Sequence, residues 1–405
     1  MKKNIIWNAI GSTISSFISL FLLILVTRIN GLENAGIFTY SFSTACLFYT
    51  IAVYYGRVYQ VTDSGNYEDS DYIYNRITTC IFMLIVSIVF LIIKQYTGYK
   101  STILFLLCFF KCVEAFGECI YAIIQKKDKL SYVGKSMTIK TITSLILFLI
   151  IDKITNNLII SIISIILINI LLIIFYDKKN MGTIIYKKID HNKNKKLLKD
   201  GFYIFAFSLL SIYVINASKY AIDGRLTEEL QGIFGIIIMP ATIMSLFSQF
   251  IIQPYLVKLK ELLNKKDVTG FINMCTKILM AMFIIGIICI GLAYYIGLPL
   301  LEIVYSVSLK SYSFEFLIIM IGSLFYGYTV LISFILITLR KTKSQFIILL
   351  ITSIITLILS NYLVINHALM GASAAYLITM IIEFILYFVI MIYYFRKLRR
   401  NKDAF

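Results

Sequence analysis

Stretches of about twenty apolar residues, each closed by a short polar break, recur from one end of this chain to the other. A bilayer-spanning helix needs about 20 mostly apolar residues. Marking the runs between breaks gives about twelve spans, near 5–27, 36–56, 77–93, 101–124, 136–151, 157–176, 201–222, 230–256, 271–297, 313–339, 345–366 and 371–395. Of the 405 residues, 60% are hydrophobic and 15% charged, well above the roughly 45–50% apolar usage of soluble domains. The expectation is an all-α polytopic membrane protein whose spans leave no room for a soluble domain. The opening MKKNIIWNAIGS looks like the start of a signal peptide. Its apolar run exceeds the 7–15 residues of such a segment and no A-x-A-like site follows, so it is read as a retained first span.

A net charge of +17 invites a nucleic-acid partner until the charges are placed along the chain. With a cytoplasmic N-terminus, about 28 cations fall in inner segments: Lys2 and Lys3, Arg57, Arg76, the Lys126–Lys135 group, the 178–199 linker, 258–266, 340–343 and the residues from Arg396 onward. About six fall outside (Arg28, Lys94, Lys100, Lys153, Arg225 and Lys310) and four stay within spans, which is the positive-inside distribution of a membrane protein. The basicity is therefore topology, no nucleic acid is expected, and both termini are placed on the cytoplasmic side of the membrane. One inner loop, RVYQVTDSGNYEDSDYIYNR, holds four acids, but acids contribute little to orientation. All seven cysteines fall in spans, which favours neither a disulfide framework nor a soluble zinc site. Cys108, Cys112 and Cys119 share a helix face without a histidine nearby and are assigned to packing, so no metal and no cofactor is expected.

The longest polar segment, DKKNMGTIIYKKIDHNKNKKLLKDG, sits near the midpoint. It divides the chain into an N-terminal six-helix bundle (1–176), a basic cytoplasmic linker (177–200), a C-terminal six-helix bundle (201–395) and a basic tail (396–405). A chain divided in this way is tested for a repeat. The first external loop of each half carries Gly-Ile-Phe, at Gly36 and at Gly232, with Glu33 opposite Glu229. An even number of spans per half requires a parallel repeat about an axis along the membrane normal, the architecture of two-bundle secondary transporters. A membrane glycan polymerase is the enzymatic alternative. Its catalytic loop is missing from the short external connections, the two histidines are His191 and His367, and there is no P-loop, GxSxG or HExxH.

Charges inside the spans locate the candidate site. On a helix, Lys111, Glu114, Glu118 and Gln125 fall within an arc of about 60°. Each lone charge at mid-bilayer costs roughly 2.5–3.5 kcal/mol against about 0.3–0.6 gained per apolar residue, so this stripe must face protein or water. It admits two roles: a Lys–Glu pair that fixes helix register, or one such pair with a surplus carboxylate, Glu118 foremost, free to take up a proton. Ser12 and Ser15 lie on one face of the first span. Ser208, Ser211, Lys219 and Asp223 lie on a broader face of the seventh, and both faces suit either a wet cavity or helix packing. Lys219, Arg57, Lys277 and Arg28 lie near span ends, where snorkelling also accounts for them. In the last span Gly371, Ala375, Thr379 and Glu383 step by four, which directs Glu383 to protein rather than lipid.

Several stretches, taken in order, resemble the Wzx-type polysaccharide or oligosaccharide flippases, in the superfamily that includes the multidrug and toxic compound extrusion transporters. They are GLENAGIF, YYGRVYQVTD with SDYIYNR, IIQKKDKLSYVGKS, LRKTKS and NYLVINHALMGASAAYLITMIIE. The seventh span departs from the pattern, with NASKYAID where relatives place an early aspartate. So does the entry to the last span, where Asn366 to Met370 replace a proline and glycine. The resemblance implies a MATE-like fold of about twelve transmembrane helices in two six-helix pseudo-repeat bundles. It implies export of an undecaprenyl-diphosphate-linked repeat unit for O-antigen or capsule by alternating access. The substrate contacts expected on this basis are Lys111, Lys219, Arg28, Arg57, Ser12, Ser15, Ser208 and Ser211, with ion or proton coupling at Glu118, Glu114, Glu383 and Asp223. The partners expected are the lipid-linked oligosaccharide, membrane lipid and other polysaccharide-assembly proteins, with the chain itself a monomer. A drug or cation extruder of the same fold is the rival.

Overall fold

The computed structural model describes residues 2–63, 67–184, 190–252 and 255–400, and every regular element among them is helical. Positions 64–66 of the acidic loop, Lys187 and Lys188 of the linker, 253–254 at the end of the eighth span and 401–405 of the tail lie outside the described residues. Among the described residues eight helices are long and apolar enough to cross a bilayer, and two of them, Asn4–Thr62 and Thr342–Arg400, run for 59 residues. At about 1.5 Å per residue such a segment reaches nearly 90 Å, against a hydrocarbon core of about 30 Å, so each makes two crossings. Each also holds a residue with non-helical torsions, Gly31 (φ 86°) and Ala368 (φ 49°). With Gly98–Lys126 and Leu130–Thr155, both of spanning length, the crossings number twelve, as the sequence leads one to expect.

The chain forms two compact units, Met1–Ile212 and Tyr213–Phe405. In the first, α1 (Lys2–Ser16), α2 (Ile18–Val53), α3 (Gly56–Thr62), α4 (Asp69–Lys94), α5 (Gly98–Lys126), α6 (Leu130–Thr155) and α7 (Leu158–Leu172) follow in order. A π-helical turn (Ile173–Asp177), α8 (Lys178–Met181) and the start of α9 (His191–Ile222) complete it. Helix α5 packs against α2, α3, α4 and α7, which is how a helix carrying three charges avoids lipid. By contrast α4 leaves Ile81, Phe82, Ile85 and Ile92 exposed, the apolar face of a helix turned to acyl chains. Its start is fixed by a capping box between Glu68 and Asp71, which satisfies two of the free N–H groups at a helix N-terminus.

Helix α1 lies along α6 where Gly11 meets Gly134: a Cβ on Gly134 would overlap the Trp7 carbonyl, and one on Gly11 the Gly134 carbonyl. Both overlaps are with backbone, which cannot rotate away. Gly134→Ala is therefore expected to push α1 off α6 at a cost of about 1–3 kcal/mol, read as a lowered unfolding temperature of the detergent-purified protein. An unchanged midpoint would mean that the two backbones do not meet there.

In the second unit, α10 (Glu228–Ile237), α11 (Met239–Ile252), α12 (Leu256–Asn264), α13 (Val268–Leu292), α14 (Leu298–Tyr305), α15 (Ser313–Thr338) and α16 (Thr342–Arg400) follow the end of α9. Helix α15 packs against α11, α13 and α16. The two arms of α16 fold back at Ala368, and Gly371 admits the Leu363 carbonyl. Gly371, Ala375, Thr379 and Glu383 are all buried, so this stripe faces protein as expected.

Candidate functional site

Helix α5 sets out the site of the first unit along one face. Lys111 is 6% exposed, and its Nζ donates to Glu114 Oε2 at 2.8 Å, three residues on. The ammonium also lies 4.8 Å from the ring centre of Phe42, 5.4 Å from Tyr49 and 5.8 Å from Phe110. Ring faces carry negative quadrupole potential and stabilise a cation without neutralising it. Glu118, one turn further, faces Arg57 of α3, with Nε to Oε2 at 3.7 Å. Gly56, at φ 74°, opens α3 just after α2 ends, and α3 packs on α5, which carries the guanidinium inward.

Two sequence expectations change here. Arg57 does not simply snorkel to the interface, and Glu118 is not surplus, because the cation from α3 stands beside it. The Lys–Glu pair expected on this helix is Lys111–Glu114.

A second buried cluster went unnoticed in the sequence. Lys140 of α6 donates to Asp177 Oδ2 at 2.5 Å, and Ser136 donates to Asp177 Oδ1 at 2.5 Å. The Ser136 hydroxyl lies 2.9 Å from the Tyr121 hydroxyl. Since Ser136 gives its proton to the carboxylate, Tyr121 is the donor in that contact. Asp177 is wholly buried and sits at the end of the π turn, whose wider i→i+5 winding shifts the helix phase. The signal available beforehand was a lysine inside an apolar span, which requires a counter-ion, but Asp177 had been assigned to the linker. Arg76 is another such case. It is 1% exposed, donates to the Ala52 carbonyl and lies 5.4 Å from the Tyr55 ring centre. Thr79 donates to the same carbonyl at 2.7 Å. Ala52 sits in the last turn of α2, where carbonyls have no intrahelical partner.

The two clusters share a cavity of about 50 Å³ whose lining includes Ser15, Glu114, Glu118, Tyr121, Lys140 and Asn169. A water needs roughly 10–15 Å³ of such volume and two or more polar partners, so the space suits a short chain of water. Three cations (Arg57, Lys111, Lys140) and three carboxylates (Glu114, Glu118, Asp177) pair off around it.

The other expected site residues are placed as follows. The Ser12 carbonyl accepts from Ser16 at 2.7 Å, and Ser12 is not among the cavity residues. Arg28 is exposed near the Gly31 bend, while Ser208 and Ser211 are half-buried on α9. In the second unit Lys219 and Asp223 are each 8% exposed. Ser218 beside them donates to the Ala372 carbonyl at 2.9 Å, tying α9 to α16. Glu383 is 4% exposed, and its Oε2 has no hydrogen-bond partner among the described residues. Tyr326, Tyr376 and Tyr387 are the groups within its electrostatic reach.

No family model matches the chain. Over its full length it is similar to a capsular polysaccharide biosynthesis protein, CapF, of Staphylococcus aureus, at 25% identity covering 98% of this chain and 99% of the relative. Among solved structures it is similar to the lipid II flippase MurJ in an inward closed conformation, with TM-score 0.68 and 18% identity over 98% of this chain and 90% of that one. It is also similar to an inward-facing multidrug resistance MATE family transporter of the MOP superfamily, with TM-score 0.66 and 9% identity over 97% and 99%. The chain is thus a multi-pass membrane protein with a MATE-like fold, and its similarity to the capsular polysaccharide biosynthesis protein extends along its whole length.

Proposed function

We propose that this protein is a flippase that carries undecaprenyl-diphosphate-linked oligosaccharide repeat units across the bacterial cytoplasmic membrane for capsule or O-antigen synthesis. The observation that carries the proposal is the full-length similarity to a capsule-biosynthesis protein, joined to a fold shared with a lipid II flippase. The role is transport rather than catalysis, by alternating access of the bundles 1–176 and 201–395. Both termini lie in the cytoplasm, the transporting unit is a monomer, and it hands its cargo to other polysaccharide-assembly proteins.

A lipid diphosphate carries about two negative charges and is best held by buried cations that can exchange a partner. Lys111 and Arg57 fit this role because the carboxylates opposite them are only partly buried: the Glu114 side chain is 38% exposed and that of Glu118 20%. Ser15 and Tyr49 offer hydroxyls to the sugars. Arg28, Lys219, Ser12, Ser208 and Ser211 complete the proposed contacts. Glu118, Glu114, Glu383 and Asp223 are the proposed coupling groups, and Glu383, with an unpartnered buried oxygen, has the strongest need for a proton or cation.

A cation extruder of the same fold is the rival reading: Glu114, Glu118 and Lys140 are the charged residues that line the cavity of the first unit, but each carboxylate of the cluster already stands beside a cation of the protein. The deciding experiment is removal of the gene. Lipid-linked repeat units should accumulate on the inner leaflet and surface glycan should disappear. Normal surface glycan together with new sensitivity to toxic cations would instead establish the extruder.

A further inference from the structure

Two helices of the Tyr213–Phe405 unit, α12 at Asn264 and α15 at Thr338, end around one concavity, and α16 passes along it with Tyr394 and Lys397. Its volume is about 380 Å³, and Lys260, Arg340, Lys341, Tyr394 and Lys397 stand in its wall. Among the described residues no carboxylate lines it and none of the four cations has an ion-pair partner. The described acids near Lys260 in sequence are engaged or turned away. Asp267 Oδ1 accepts from Gly270 N at 2.8 Å to cap α13, and Glu261 is exposed outside the wall.

The wall is built by specific backbone geometry. Arg340 closes α15 in the left-handed region at φ 56°, with its N–H on the Ile337 carbonyl at 2.8 Å and that of Lys341 on the Leu336 carbonyl at 2.9 Å. Lys341 Nζ then lies 5.1 Å from the ring centre of Tyr394, and the Tyr394 hydroxyl shares a 2.8 Å hydrogen bond with Ser344. Helix C-termini attract cations, but each carries only about half a negative charge. Two such ends leave most of the charge of four cations uncompensated, so the pocket is set for an anion.

The surroundings indicate what kind of anion. Ile337 next to the pocket is 46% exposed, and Val389 and Tyr393 on the α16 arm that enters it are each 56% exposed. A ligand with an anionic head in the pocket and an apolar chain along these helices would satisfy both surfaces. We propose that this pocket binds the phosphate of an anionic membrane-lipid headgroup, at a site separate from the α5 cluster and independent of which substrate the protein transports. Basic pockets at helix ends on the cytoplasmic side suit such headgroups, and the positive-inside orientation places this one there.

The test uses the full-length protein in neutral detergent, with phosphatidylglycerol, phosphatidylcholine and inorganic phosphate as probes and retained lipid read by native mass spectrometry. At about 1 kcal/mol per cation, Arg340→Gln with Lys397→Gln should weaken phosphatidylglycerol binding about thirtyfold. Lys260→Gln with Lys341→Gln should do the same as an independent pair. Lys258→Gln with Lys343→Gln removes equal charge from exposed positions outside the pocket and should leave binding unchanged. Phosphatidylcholine should bind weakly throughout, and inorganic phosphate should not displace phosphatidylglycerol. Equal losses in all three pairs would show a diffuse basic surface and overturn the site, as would no loss in either pocket pair. Displacement by inorganic phosphate would overturn the lipid assignment in favour of a soluble anion.

Discussion

Lys140→Ala is expected to destabilise the protein by about 3–5 kcal/mol, the usual cost of removing one partner from a buried ion pair. Asp177 is wholly buried, and its other described partner is the Ser136 hydroxyl. Without the ammonium its charge would stand in a low-dielectric setting on a single neutral hydrogen bond, which does not offset the lost hydration of a carboxylate. Asp177→Ala should be comparably harmful, since it strands the Lys140 ammonium. Removing both charges is different: Lys140→Met with Asp177→Leu replaces the pair by apolar groups and should recover most of the loss, because a buried pair rarely outperforms well-packed hydrophobic residues. The measurement is thermal unfolding of the detergent-purified protein. The single variants should fall by about five degrees and the double variant should return near the parent. Single variants as stable as the parent, or a double no better than either single, would show that the pair does not hold α6 to the π turn.

That pair also marks where the sequence stopped being legible. The twelve crossings could be read because lipid imposes a long apolar run on every span. Even the two 59-residue helices separate into their four crossings at short polar breaks, RINGLEN and NHALMG. The α5 stripe was legible for the same reason, since charges in an apolar run must share a face, and the Glu383 stripe followed from its four-residue step.

Partner choice was not legible. Whether Glu118 meets Lys111 on its own helix or Arg57 on another depends on how far α3 swings in after Tyr54 and Gly56, both at positive φ. Asp177 looked like the first residue of a polar linker because its neighbours Lys178 and Lys179 are polar, and a π turn that rotates one residue inward leaves no trace in composition. The Arg76 anchor was hidden similarly: in sequence it belongs to an acidic loop, and only the end of α2 supplies the carbonyl it meets.

Lys111→Ala is expected to lower glycan export about a hundredfold while leaving the protein folded and in the membrane. The magnitude follows from truncating one member of a desolvated charge pair with its ligand, about 2–5 kcal/mol. The specificity follows from the setting: three ring faces hold the ammonium in place, while the side chain of Glu114, its ion-pair partner among the described residues, is 38% exposed. A diphosphate can take over from that carboxylate without the lysine changing position. Loss of the lysine should therefore cost transport far more than stability, because the glutamate left behind can turn to water. Lys111→Arg keeps the charge but enlarges the group inside the aromatic box and should retain partial export. Glu114→Gln, which weakens only the resident competitor, should export at least as well as the parent. Surface glycan and the inner-leaflet pool of lipid-linked repeat units, measured at matched protein levels, report these outcomes. Normal surface glycan in Lys111→Ala would remove this lysine from the substrate path. A Glu114→Gln variant as inactive as Lys111→Ala would mean that the two residues act as a fixed pair rather than as a site and its placeholder.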